Sequence, residues 1–219
     1  MKASANQSMT GGRVATLAER DVAALAERGV ERTFARGTVV VSEGDTTDAL
    51  YIILAGRVKV FVADREGHEL VLGEMGAGEY FGEMVLDGGP RSASIMTLEK
   101  TRFAIISREA FVDYLNANPA FALRLIKQLI RRVRTLTGSV KSLALLDVFG
   151  RVARLLIDLA ERDGEDWVVP GRLTHQEIAS RIGSSREMVT RILKDLHTGG
   201  YIEVESRRIV VKKELPAHW

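Results

Sequence analysis

Apolar positions along the chain follow three different periods. Leu17–Arg28 (LAERDVAALAER) spaces them along one face of a short helix. From Arg32 to Ile106 the period shortens to that of strands. The runs Thr38–Val41, Leu50–Leu54, Val58–Val62, Leu70–Leu72 and Phe103–Ile106 are rich in β-branched and aromatic residues. Turn signals at Glu43–Asp45, Ala55–Arg57, Glu66–Gly67 and Gly76–Gly78 separate them. Many short strands at this spacing predict a sandwich or barrel, and the need to close the sheet edges favours a jelly-roll-like barrel. Ser107 is placed to cap a helix that runs to about Leu115.

The third period governs Asn118–Leu146. Ile126, Leu129, Val133, Leu136, Val140 and Leu143 are spaced by alternating threes and fours, the a/d seam of a coiled coil. Between them lie Arg124, Lys127, Arg131, Arg132, Arg134 and Lys141, which suit a solvated outer face. Pro119 falls where a first-turn proline is tolerated. As one helix the stretch would be roughly 43 Å long at about 1.5 Å per residue. So narrow a seam needs a partner helix, and a second copy of the chain is the simplest one. The expectation is a parallel two-fold homodimer. The competing reading is a central helix packed inside one globular domain.

Asp147 is a candidate cap for a helix over Val148–Arg162, with Val152, Leu155, Leu156 and Leu159 on one side, and Leu146–Gly150 reads as a hinge. Asp163–Asp166 reads as a loop. From Leu173 the pattern becomes helix, tight turn, helix. Thr174 and Glu177 form one capping box, and Ser184 and Glu187 a second. Gly183 breaks the first helix. The second, Ser185–Thr198, is expected to turn Met188, Ile192 and Leu196 inward and Arg186, Glu187, Thr190 and Arg191 outward. After Gly199–Gly200, Tyr201–Val204 and Arg208–Val211 read as a hairpin wing. The fold class is therefore α+β. It parses as a flexible tail (1–12), a barrel-like effector domain (13–117), a dimerisation helix (118–146) and a winged helix-turn-helix domain (147–219).

Composition narrows the function classes. There is no cysteine, which excludes disulfides, thiolate metal sites and cysteine-ligated iron–sulfur clusters. No apolar run is long enough to cross a bilayer and the first residues lack a signal-peptide core, so a cytoplasmic protein without a membrane partner is expected. The net charge of +2 is unevenly spread. Met1–Asn116 holds 13 Lys/Arg against 17 Asp/Glu, whereas Gly171–Lys213 holds 9 against 5. Only the C-terminal part is suited to a polyanion.

Two stretches carry chemistry. In the first, Gly82-Glu83-Met84 leads through a Gly-rich turn to Arg91-Ser92-Ala93. Arg91 offers a forked donor to a phosphodiester, Ser92 a hydroxyl and backbone N–H groups, and Glu83 an acceptor suited to a ribose hydroxyl. The plainer alternative is a hairpin with a surface Glu83–Arg91 salt bridge. In the second, Arg186 and Glu187 at a helix start can reach base edges in a major groove, with Arg191 one turn on. Thr174 and Gln176 are placed for phosphates.

The order of barrel, long helix and winged helix-turn-helix resembles the CRP/FNR family of bacterial transcription regulators over nearly the whole chain. The matching motifs are Phe81-Gly82-Glu83-Met84 through Arg91-Ser92-Ala93, Leu145–Arg151 and Ser185–Leu193. The resemblance implies that Glu83 holds a ribose and that Arg91 with Ser92 holds a cyclic phosphate. It implies that Ser185, Arg186, Glu187, Thr190 and Arg191 belong to the helix that reads a TGTGA-like half-site in palindromic duplex DNA, with RNA polymerase as a further partner. No obligatory cofactor and no metal are implied; the effector would be cAMP. One pair departs from the cAMP-responsive pattern. Where two adjacent hydroxyl residues contact the adenine, this chain has Leu136-Thr137, so cyclic GMP and cyclic di-GMP stand beside cAMP. The mechanism expected is a population shift, in which ligand bridging the cassette and the long helix re-aims two recognition helices to about 34 Å apart.

Two other function classes fit these residues less well. A gas or redox sensor would need a haem ligand, and His68, His175, His197 and His218 read as surface histidines. An enzyme would need a nucleophile–base constellation or a metal-spaced ligand set, and neither is evident; an arginine-paired Glu83 would be a poor base near neutral pH.

Overall fold

The computed structural model describes residues 19–164, 166–171, 173–205 and 208–215. The expected tail, Leu17, the wing turn at Ser206–Arg207 and His218 lie outside them. Residue contacts divide the chain into two compact units, the first running to Arg134 without Gly67–Leu70 and the second built from Gly67–Leu70 and from Thr135 onward.

In the first unit, α1 (Glu19–Ala26) precedes strands β1 (Val30–Phe34), β2 (Val39–Val41), β3 (Ala49–Ala55), β4 (Arg57–Ala63), β5 (Glu69–Gly76), β6 (Tyr80–Phe81), β7 (Ser94–Thr97) and β8 (Thr101–Ser107). They form two four-stranded sheets in the orders β1-β8-β3-β6 and β2-β7-β4-β5. Alternation along β3 explains how one strand serves two cores. Tyr51 and Ile53 face between the sheets, with Phe81, Phe103, Val58 and Ile95. Leu50 and Ile52 face the opposite way, onto Leu25, Phe111, Phe121 and Leu125 from the helices. Strands β1, β6 and β7 are too short or too exposed to announce themselves by period.

With α1, the helices that cover this second face are α2 (Arg108–Ala117) and α3 (Pro119–Leu145). Ser107 caps α2 by accepting from Ala110 N–H. The long helix expected over Asn118–Leu146 is present as α3, with Pro119 in its first turn. Its buried stripe is Phe121, Leu125 and Gln128. Most of the predicted seam lies on a different face: Ile126, Val133, Leu136, Val140 and Leu143 are all exposed, Val133 by 61%. Leu129 departs from that expectation and packs partly against the first unit's core. Leu129 follows Gln128 directly, in the part of the helix that packs on this core, and no residue of α3 after Gln128 is buried. Ile130, 47% exposed, stands with Ile126 and Val133 on the outer face.

The second unit contains α4 (Val148–Leu159), β9 (Glu161–Asp163), β10 (Asp166–Val169), α5 (His175–Ile182), α6 (Arg186–Thr198), β11 (Ile202–Glu205) and β12 (Arg208–Val211). Asp147 caps α4 by accepting from Gly150 N–H at 2.7 Å. The helix stops at Leu159 instead of Arg162, because Glu161–Asp163 pairs as a strand with β10. Sheet pairing here overrides the helical pattern. The order β11-β12-β10-β9 makes the wing one half of a four-stranded sheet. Leu156, Ile178, Val189, Leu196 and Ile209 meet in the core.

Candidate functional site

The cassette begins where β6 ends. Gly82 adopts φ 88°, and a Cβ there would sit 2.7 Å from the Ala49 carbonyl and 2.7 Å from Arg91 Nη1. Only glycine lets the backbone turn left-handed this close to the arginine. A single 3-10 turn, Glu83–Leu86, follows, burying Val85 and leaving Met84 exposed. Its end is tied by Asp87, which accepts from Gly89 N–H at 2.8 Å.

Arg91 is only 6% exposed. Nε donates to Thr47 Oγ1 at 2.9 Å, Nη1 to the Gly82 carbonyl at 3.0 Å and Nη2 to the Ala49 carbonyl at 2.6 Å. Three of the five guanidinium N–H groups are thus held by the protein itself. Ser92 is exposed, its hydroxyl 3.1 Å from Met84 Sδ, and Ala93 is half-buried.

Glu83 does not pair with Arg91. Its carboxylate forms an ion pair with Arg132 of α3, with Glu83 12% and Arg132 22% exposed at their side chains. Arg132 also donates from Nη2 to the Tyr80 carbonyl at 2.7 Å and lies over the Tyr80 ring, 5.1 Å from its centroid. Burial pushes the Tyr80 hydroxyl well above its ordinary pKa, with the Arg132 charge opposing and Glu83 reinforcing. Arg132, expected from its spacing on the solvated face, is a member of this site. The signal was there: 121, 125, 128 and 132 continue the buried stripe of α3 in steps of four, three and four. Leu136 and Thr137 stand one turn beyond Arg132 on the same helix, both exposed.

In the second unit Thr174 caps α5 with the full capping box. Its hydroxyl accepts from Glu177 N–H at 3.2 Å and donates to the Glu177 carboxylate at 2.9 Å, while its own N–H donates to that carboxylate at 2.6 Å. The Thr174 hydroxyl hydrogen is therefore taken by Glu177; Gln176 is exposed beside it. Gly183 ends α5 in the left-handed region at φ 62°. The second predicted capping box is absent. Ser184 N–H closes α5 onto the Ala179 carbonyl, so Ser185 caps α6 by accepting from Met188 N–H. Val189, Ile192, Leu193 and Leu196 form the buried face of α6. Met188, expected inward, is 37% exposed, because it lies about 40° beyond Ile192 at roughly 100° per residue.

Arg186, Glu187, Thr190 and Arg191 are exposed together on the opposite face. A groove of about 700 Å³ runs among Thr174, His175, Gln176 and Arg186 of the helices and Glu205 and Arg208 of the wing. The wing is fastened where its strands meet the turn: Arg208 donates to Glu205 at 2.5 Å and to Asp163 of β9 at 3.0 Å. The Arg208 hydrogen bond holds the Glu205 carboxyl below the usual carboxylate range. Arg151, next to the predicted hinge, donates to the Leu146 carbonyl just past the end of α3 and to the Ile182 carbonyl at the end of α5, both at 2.9 Å.

Two family models match the chain. Residues 31–118 match the cyclic nucleotide-binding domain and residues 150–214 the Crp-like helix-turn-helix domain. A Mycobacterium tuberculosis protein named as a CRP-like cAMP-activated global transcriptional regulator is 35% identical over 195 residues, 87% of each chain. The cAMP-activated global transcriptional regulator CRP of Salmonella typhimurium is 35% identical over 179 residues, 80% of this chain and 85% of that one. Among solved structures, the c-di-GMP-responsive regulator CLP of Xanthomonas campestris superposes with a TM-score of 0.76 at 29% identity, over 86% of this chain and 96% of that one. No described helix is long and apolar enough to cross a membrane.

Proposed function

The chain belongs to the CRP/FNR family of DNA-binding transcription regulators, and from that premise we propose that it is a homodimer whose barrel takes cAMP and whose α6 helices read paired half-sites in duplex DNA. The observation that carries the effector reading is the turn at Gly82. It brings a guanidinium and a carboxylate, both largely withdrawn from water, to one short stretch of backbone. In low dielectric each is worth more to a ligand than it would be at the surface. Arg91 and Ser92 serve the cyclic phosphate and Glu83 the ribose, with Arg132 holding the Glu83 carboxylate in place. The exposed stripe Ile126, Ile130, Val133, Val140 supports a second copy as partner of α3, since an apolar row this long on a polar helix is an interface signature. RNA polymerase is the further partner proposed.

Leu136 favours a second reading at the base end. It has no hydrogen-bonding group, so cyclic GMP or cyclic di-GMP competes with cAMP as effector. Calorimetric titration of the full-length protein with each of the three decides between them, with Ser92→Ala and Glu83→Gln as controls. Micromolar cAMP binding weakened by both controls is the expected result. Heat from only one of the other two nucleotides would reassign the effector, and no heat from any would overturn the cyclic-nucleotide reading.

A further inference from the structure

His175 and Thr190 are joined across the helix-turn-helix. His175 Nδ1 lies 2.7 Å from Thr190 Oγ1, and Thr190 Oγ1 lies 2.9 Å from the Arg186 carbonyl oxygen one turn earlier in α6. A carbonyl cannot donate, so the single hydroxyl hydrogen of Thr190 goes to Arg186. The histidine must then be the donor, with its proton on Nδ1. Both contacts fasten the oxygen of Thr190 and leave its γ-methyl as the part of the side chain free to meet a partner. Threonine in a helix ordinarily divides between two rotamers, one of which makes this backward bond. The imidazole selects that one.

The position matters because of where Thr190 stands. At about 100° per residue it falls about 40° from Arg186 and between Arg186 and Glu187 on the exposed arc of α6. An apolar methyl at that place in a major groove has one natural counterpart among base edges, the C5-methyl of thymine. We propose that Thr190 reads a thymine methyl and that His175, through its hydrogen bond, is the positioning residue that makes it do so. The proposal rests on the reading of α6 as the recognition helix and adds to it a base preference that the charged residues cannot supply. Sequence alone gave no hint of the pair, since fifteen positions separate its members.

The test uses the full-length protein with cAMP present and duplexes enriched by it from a random pool. Each thymine of the enriched half-site is replaced singly by deoxyuridine, which lacks only the C5-methyl. The wild-type protein should lose about fourfold in affinity at one thymine, the factor that burial of one methyl-sized group carries. His175→Ala should reduce that discrimination below twofold and Thr190→Ser should abolish it. Thr190→Val, which keeps a methyl at the same place, should retain it, and the double variant H175A/T190V should recover it. Recovery in the double variant distinguishes positioning from a general loss of structure. The two Thr190 variants, at an exposed position, keep the test decisive if His175→Ala fails to fold. Indifference to every uracil, or loss of discrimination in Thr190→Val, would overturn the proposal while leaving the recognition helix standing. No enrichment of any sequence would overturn both.

Discussion

The two candidate sites use arginine in opposite ways. In the barrel, Arg91 is buried and spends three donors on a hydroxyl and two carbonyls, and Arg132 is committed to Glu83 and the Tyr80 carbonyl. In α6, Arg186 and Arg191 are exposed to water. A ligand entering the first site meets charges already fixed in direction by protein dipoles. DNA meeting the second must itself order long, solvated side chains. The first arrangement suits recognition of one small anion in one pose. The second suits a partner that releases counterions along its length, so its affinity falls steeply with salt.

The contrast predicts that the same chemical change has different consequences in the two places. The largest effect is expected from Arg91→Ala. It removes the buried guanidinium that donates to Thr47 and to the Gly82 and Ala49 carbonyls, and chemical unfolding followed by circular dichroism should show a loss of about 3 kcal/mol. A stability-neutral Arg91→Ala would break the comparison at its root. Arg186→Ala should leave stability within about 0.5 kcal/mol while costing about 1–3 kcal/mol of discrimination between operator and scrambled duplex, read by competition binding. Retention of full discrimination would mean that another element reads the bases.

A third, smaller effect sharpens the barrel side. Arg132→Met removes the cation that orients Glu83, and cyclic-nucleotide affinity measured by calorimetry should weaken about tenfold, or about 1.4 kcal/mol. Tighter binding would instead make Arg132 a competitor for the carboxylate. The smallest effect is in the wing. Glu205 has its folded pKa lowered, first by the hydrogen bond from Arg208. The sign follows from that direction: the contribution is present above the ordinary carboxylate pKa and is lost as pH falls through the lowered folded value. An NMR titration of Glu205 should therefore show a midpoint below the usual range that moves up in Arg208→Gln. An unchanged midpoint in that variant would assign the shift to something other than the clasp.

What the sequence by itself determined is what local chemistry decides. Ser107, Asp147 and Thr174 cap the helices they precede, because an N-cap needs only a short oxygen side chain and the next turn of backbone. The extent of α3 follows from uninterrupted helical spacing, and the helix-turn-helix from two apolar faces separated by Gly183. Ser184 already marks the limit, since a backbone bond to Ala179 took it into the end of α5 and left the cap to Ser185. Tertiary structure decided the rest. It turned Glu161–Asp163 into an edge strand, buried Arg91 against carbonyls from β3 and the Gly82 turn, and set Arg132 against Glu83 across 49 positions. It also chose the face of α3 that carries Leu129 inward while Val133 stays out. The physical reason is the same in each case. Caps and periods are settled within a turn or two of chain. The partner of a buried charge or the depth of a helix face depends on which distant backbone arrives beside it, and no residue carries that information alone.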